Sequence, residues 1–145
     1  MNKIIIDKDL RLLNPHDGGV LIKHLDQDLL LNFDLGECNY LWSKEFLDAF
    51  SNLDYSMYEI LIDITFKNIS NLVVETGDEI NRYEFIIIEI LDFIINNNTC
   101  IINGILDINH CDINLSFEFE SYKIEGCSVK IEDNDFLNAR NEYNK

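Results

Sequence analysis

The chain has 145 residues, of which 47% are apolar, and a formal net charge of −16 from 11 basic and 27 acidic side chains. That length suits one domain with its own core, and the apolar share excludes an intrinsically disordered chain. The charge opposes binding to nucleic-acid phosphates or anionic lipid and favours cationic partners.

In chain order, Pro15 lies in a turn-forming cluster of residues 14–19. Val20 to His24 and Leu29 to Leu35 form two short predicted strands, with Asp26-Gln27-Asp28 as the hairpin turn between them. From Tyr40 to Leu53 the pattern changes. Leu41, Phe46, Leu47 and Phe50 recur at helical spacing, which predicts a helix near residues 42–52 with Ser43 as its N-cap. Tyr58 to Phe66 alternates with period two, so Tyr58, Ile60, Ile62, Ile64 and Phe66 share a buried face. Leu72 to Glu75 is expected to continue or partner that strand.

Residues 79–96 carry two patterns. Ile80, Tyr83, Ile87, Ile90, Leu91 and Ile94 fit a helix face, yet the segment is dense in isoleucine. Asn96-Asn97-Asn98 then separates two β-branched runs as a hairpin turn would, and this favours strand. Residues 99–131 suggest an antiparallel meander in which Ile113, Leu115, Phe117 and Phe119 form one face. Gly126 marks a change of phase, where a β-bulge is expected. A short helix capped by Asp133 or Asn134 is expected in the tail after Asp133, and the last ten residues are polar enough to fray. The fold class expected is mainly β with minor α: residues 1–145 form a single domain, an antiparallel curved sheet or β-sandwich with one helix near residues 42–52.

No stretch approaches a membrane span. The longest candidate, residues 85–95, is broken by Glu89 and Asp92, and Ile4–Ile6 is too short for the apolar region of a signal peptide. A cytoplasmic location with reduced thiols is therefore expected. Cys38, Cys100, Cys111 and Cys127 lack metal-knuckle spacing, and a negative field raises a thiol pKa, so core cysteines are expected rather than nucleophiles. Asn109-His110-Cys111-Asp112 is a polar turn before it is a zinc site. Carboxylate pairs such as Asp26/Asp28 and Glu118/Glu120 suit a solvated strand face better than acid–base catalysis. No catalytic residue, metal or cofactor is assigned.

The negative charge belongs to the body of the chain. Residues 26–63 hold nine acids against Lys44, and residues 78–135 hold thirteen acids against three bases. Candidate partner-binding residues are accordingly Asp26, Asp28, Asp34, Glu37, Glu45, Asp48, Asp54, Glu118 and Glu120. Trp42 joins them as an aromatic that either anchors a partner or pins the helix to the sheet.

Three stretches carry a resemblance: residues 39–50 (NYLWSKEFLDAF), 60–69 (ILIDITFKNI) and 113–124 (INLSFEFESYKI). In these, and in its size and acidity, the chain resembles bacterial immunity proteins of polymorphic-toxin and contact-dependent growth-inhibition systems. The resemblance implies a cytoplasmic protein that neutralises a cognate toxin, commonly a nuclease, by tight one-to-one binding. Two other readings stay open: an acidic adaptor or structural subunit, and a small metal-dependent enzyme.

Overall fold

The structure, a computed structural model, describes residues 3–13, 15, 19–34, 58–77, 79–80, 83–107 and 110–130. Among the described residues nine antiparallel strands form one sheet: β1 (Ile4–Ile5), β2 (Gly19–Leu25), β3 (Asp28–Asp34), β4 (Tyr58–Lys67), β5 (Ser70–Thr76), β6 (Glu84–Asn96), β7 (Thr99–Leu106), β8 (Asp112–Glu118) and β9 (Ser121–Lys130). Their order across the sheet is β1-β9-β4-β3-β2-β6-β7-β8-β5. Leu10–Leu12 adds a single 3₁₀ turn, capped by the Asp9 carboxylate accepting from the Arg11 N–H. The predicted helix near residues 42–52 and the tail after Asp133 lie outside the described residues.

The sheet curls back on itself. β4 and β8 are five strands apart in the order, which in a flat sheet would separate them by ~24 Å. Yet the rings of Phe66 and Phe117 lie 4.9 Å apart edge to face, and Phe119 lies 4.9 Å from Phe66. The inward side chains of β2, β3, β4 and β9 (a first wall) thus share one core with those of β5, β6, β7 and β8 (a second wall). Ile22, Leu31, Phe33, Ile64 and Phe66 meet Ile87, Ile90, Cys100, Ile102 and Phe117 there, each at most 1% exposed. A sheet with one apolar face has to cover it, and closing on itself is one solution.

β6 makes the bend. It is a strand from Glu84 to Asn96, so the helical spacing within residues 79–96 has another cause. The β6–β7 register slips twice, between Ile87 and Glu89 and again between Ile90 and Asp92. Each slip inserts one extra residue, so the inward positions run Phe85, Ile87, Ile90, Phe93 and Ile95. Two bulges convert a period of two into local steps of three, which imitate a helix, and they bend the strand around the core. Gly104, opposite Ile90, admits this geometry: a Cβ there would stand 2.6 Å from the Glu89 carbonyl oxygen and 2.6 Å from Ile87 Cγ2.

Three pairings differ from the sequence reading. β5 does not pair with β4 but with β8, across the sheet. The meander stops at β8, because β9 crosses to the first wall and pairs with β4 over ten unbroken positions, Tyr58↔Lys130 to Lys67↔Ser121. Gly126 consequently sits opposite Ile62 in a regular ladder with no bulge. The change of phase there has another origin: Cys127, on the outer face beside Leu61, is itself buried, as Leu61 is.

Gly104→Ala should destabilise the protein by ~2–3 kcal/mol, since the clash is with backbone that cannot rotate away. Gly77→Ala, with nothing within 4 Å of the new methyl, should stay within ~0.5 kcal/mol. Urea unfolding of the two variants checks the contrast.

Candidate protein-binding surface

The outward side chains of the second wall line up in cross-strand rows fixed by the β6–β7, β7–β8 and β8–β5 registers. One row is Asn96, Thr99, Glu118 and Ser70; the next is Ile94, Ile101, Ser116 and Val73. A third is Asp92, Asn103, Asn114 and Glu75, and a fourth holds Glu89, Ile105 and Asp112. Period-two alternation puts all of these on one face. Five carboxylates therefore stand on a patch of roughly 14 Å by 20 Å between outer Cα positions. They are separated by exposed or half-buried aliphatics (Val73, Ile94, Ile101, Ile105) and by the amides of Asn103 and Asn114.

None of the five has a cation at ion-pair distance among the described residues. Their hydrogen bonds come from neutral groups: Asn103 Nδ2 donates to Asp92 at 3.4 Å, and Ser70 Oγ and Asn71 Nδ2 donate to Glu118. The described lysines and the one described arginine all lie elsewhere, in residues 3–11 or on β2, β4 and β9.

The first wall is arranged oppositely. Its outer face buries Asn32, Leu61, Asp63 and Cys127. The buried Asp63 carboxylate accepts from Lys3 Nζ at 2.9 Å and from Asn32 Nδ2. Burial lowers the Lys3 pKa, but the hydrogen bond and charge of Asp63, with Glu125 nearby, outweigh it and hold the ammonium above its ordinary value. Lys67 pairs with Asp28 and Lys123 with Glu125. Negative charge is thus compensated on one wall and uncompensated on the other.

A second acidic feature adjoins the second wall at Glu118. Four connections meet at one corner: the β2–β3 turn, the β4–β5 turn, the β6–β7 turn and the Phe119–Glu120 link from β8 to β9. Backbone bonds tie them together, Ile69 N–H to Gln27 O (2.8 Å), Phe119 N–H to Asn98 O (2.9 Å) and Glu120 N–H to Lys67 O (2.9 Å). Asp26, Asn68, Asn71 and Asn97 all take positive φ near 50°, which short polar side chains tolerate. Asn68 joins two acids, donating its N–H to Asp28 and its Nδ2 to Glu120 at 2.8 Å.

Four of the sequence candidates, Asp26, Asp28, Glu118 and Glu120, converge on this corner. Glu37, Trp42, Glu45, Asp48 and Asp54 lie outside the described residues; Asp34 ends β3, with only its backbone described. Sequence reasoning missed Glu75, Glu89, Asp92 and Asp112. The available signal was the scarcity of bases: residues 68–118 contain nine acids and a single Arg82.

His110, at positive φ, occupies the β7–β8 turn, and among the described residues no group of three metal-binding side chains converges. Burial pushes the Cys100 thiol up strongly and the Cys127 thiol up to about 11, away from nucleophilic use. No helix among the described residues is long and apolar enough to cross a membrane. Comparison with protein-family models, curated proteins and solved structures finds no match for this chain.

The corner has a pH signature. The Asn68 N–H, then Lys67, hold the Asp28 carboxyl below its ordinary value. A depressed carboxylate stabilises the fold above the unfolded pKa, ~3.9, and that contribution is lost as pH falls through the folded value. Asp28→Asn should therefore make stability less steeply dependent on pH below ~4, as read by urea melts at stepped pH.

Proposed function

We propose that this chain is an immunity-type inhibitor that binds a basic, nuclease-like protein toxin one to one and silences it by covering its cationic cleft. The observation that carries this reading is the second-wall face, where Glu75, Glu89, Asp92, Asp112 and Glu118 stand at strand spacing without a compensating base among the described residues.

A cleft that grips phosphates must be cationic, and a surface that fills it must present anions at comparable spacing. Carboxylates on paired strands are held by backbone ladders, so little order is lost on docking. A coherent negative face also steers a cationic partner and can lift association toward ~10⁸–10⁹ M⁻¹s⁻¹ at low salt. The row of Ile94, Ile101 and Val73 supplies apolar contact among the charges, and apolar contact slows dissociation. The acidic corner extends the face through Glu118, which helps approach the ~800 Å² per partner of a standard interface. Inhibition of this kind needs occlusion and no chemistry.

The test is stopped-flow association with the basic toxin domain that this proposal expects a neighbouring gene to encode. The triple variant Glu75→Lys, Glu89→Lys, Asp92→Lys should associate at least ~10-fold more slowly at low salt and with a flatter salt dependence. Lys67→Glu with Lys123→Glu, on the first wall, should not slow association. A rate indifferent both to salt and to the triple reversal would overturn the proposal.

A further inference from the structure

Beside the second wall and the acidic corner lies a third negatively framed feature, and it is concave. β7 ends at Leu106, opposite Ile87, while β6 begins three residues earlier, so Glu84 and Phe85 overhang β7 beside β2. An open cavity of about 300 Å³ lies at this overhang. Its apolar lining comes from Leu21, Ile80, Phe85, Ile86 and Leu106, and its charged lining groups among the described residues are the carboxylates of Glu84 and Asp107.

The backbone beneath both carboxylates is fixed. The Asp107 N–H donates to Ile86 O at 3.0 Å, the Leu106 N–H donates to Cys111 O at 2.8 Å, and Glu84 stands opposite Lys23 in the β2–β6 ladder. No salt bridge engages Glu84 or Asp107 among the described residues, and Ile86 remains 45% exposed at the cavity. This volume matches the small end of ligand sites, which are mostly apolar with a few placed polar groups.

Resting on the proposal above that the partner is a basic protein, we infer that this cavity is a socket for one arginine side chain of that partner. The chemistry selects arginine over other side chains. Its three-carbon stem suits an apolar lining, and its planar, weakly hydrated guanidinium lies well against an aromatic such as Phe85. Its fork of five donors can reach carboxylates on two sides, where a lysine offers one compact, strongly hydrated charge. An uncharged side chain would leave Glu84 and Asp107 desolvated without a partner, at a cost. The socket thus adds an anchor to a surface that otherwise supplies steering, and arginine is among the residues enriched at such anchors.

The experiment is an NMR titration of the full chain, observing the methyl groups of Leu21, Ile86 and Leu106. The probes are N-acetyl-arginine amide, the lysine analogue and the uncharged citrulline analogue. Capped arginine should shift these methyls saturably with a dissociation constant of order mM, as suits so small a ligand. The double variant Glu84→Gln, Asp107→Asn should weaken it at least ~10-fold while leaving the spectrum folded. Citrulline binding as tightly would overturn the role of charge, and lysine binding as tightly would overturn the assignment to arginine. Arginine shifts confined to the second-wall face would overturn the socket. That last outcome leaves the proposed function standing, since toxin association is measured separately and responds to Glu75, Glu89 and Asp92.

Discussion

The structure depends on one constraint: a nine-stranded antiparallel sheet with a single apolar face has to remove that face from water. It does so by closing, bringing Phe66 of β4 against Phe117 of β8 and the adjoining Phe119. Burying each such ring is worth ~1.5–3 kcal/mol, and edge-to-face contact adds to that. The closure needs a strand that can turn the sheet, and β6 supplies it through two bulges. Gly104 lets β7 follow at a separation that no side chain would allow.

Closure also decides what faces outward. On the first wall the outer face buries Leu61, Cys127, Asn32 and Asp63, and that acid, Asp63, is held by Lys3 and Asn32. A carboxylate so buried requires such partners, because an unpaired charge in that environment costs several kcal/mol. On the second wall the acids are exposed to half-exposed, and water screens them. Their mutual repulsion still opposes folding. A fold that concentrates uncompensated acids on one rigid face accepts that cost, and recognition of a cationic surface is a use that returns it on binding.

The second-wall face and the cavity differ in physical character. The face is broad, suited to long-range attraction and register. The cavity at the β6 overhang is small and apolar, with two carboxylates. A charge that enters it loses water and meets fixed partners. Steering and anchoring are separate demands on an interface, and in the proposed complex they fall on different elements.

The sequence by itself determined the strand content, because side-chain alternation is a local property. Val20 to His24, Tyr58 to Phe66 and Ile113 to Phe119 each display their buried face in the order of their residues, and Asn-rich turns mark several ends. Composition likewise established the acidity and the scarcity of bases between residues 68 and 118. Pairing was decided only in three dimensions. Nothing local says that β5 seeks β8, or that β9 leaves its neighbour for β4, because both choices follow from how a curled sheet brings distant edges together. The steps of three in β6 were ambiguous for the same reason: a bulge is defined by the partner strand, which a single segment does not contain. The acidic face was hidden because Glu75, Asp92 and Asp112 come from three strands. Only the register places them on one side.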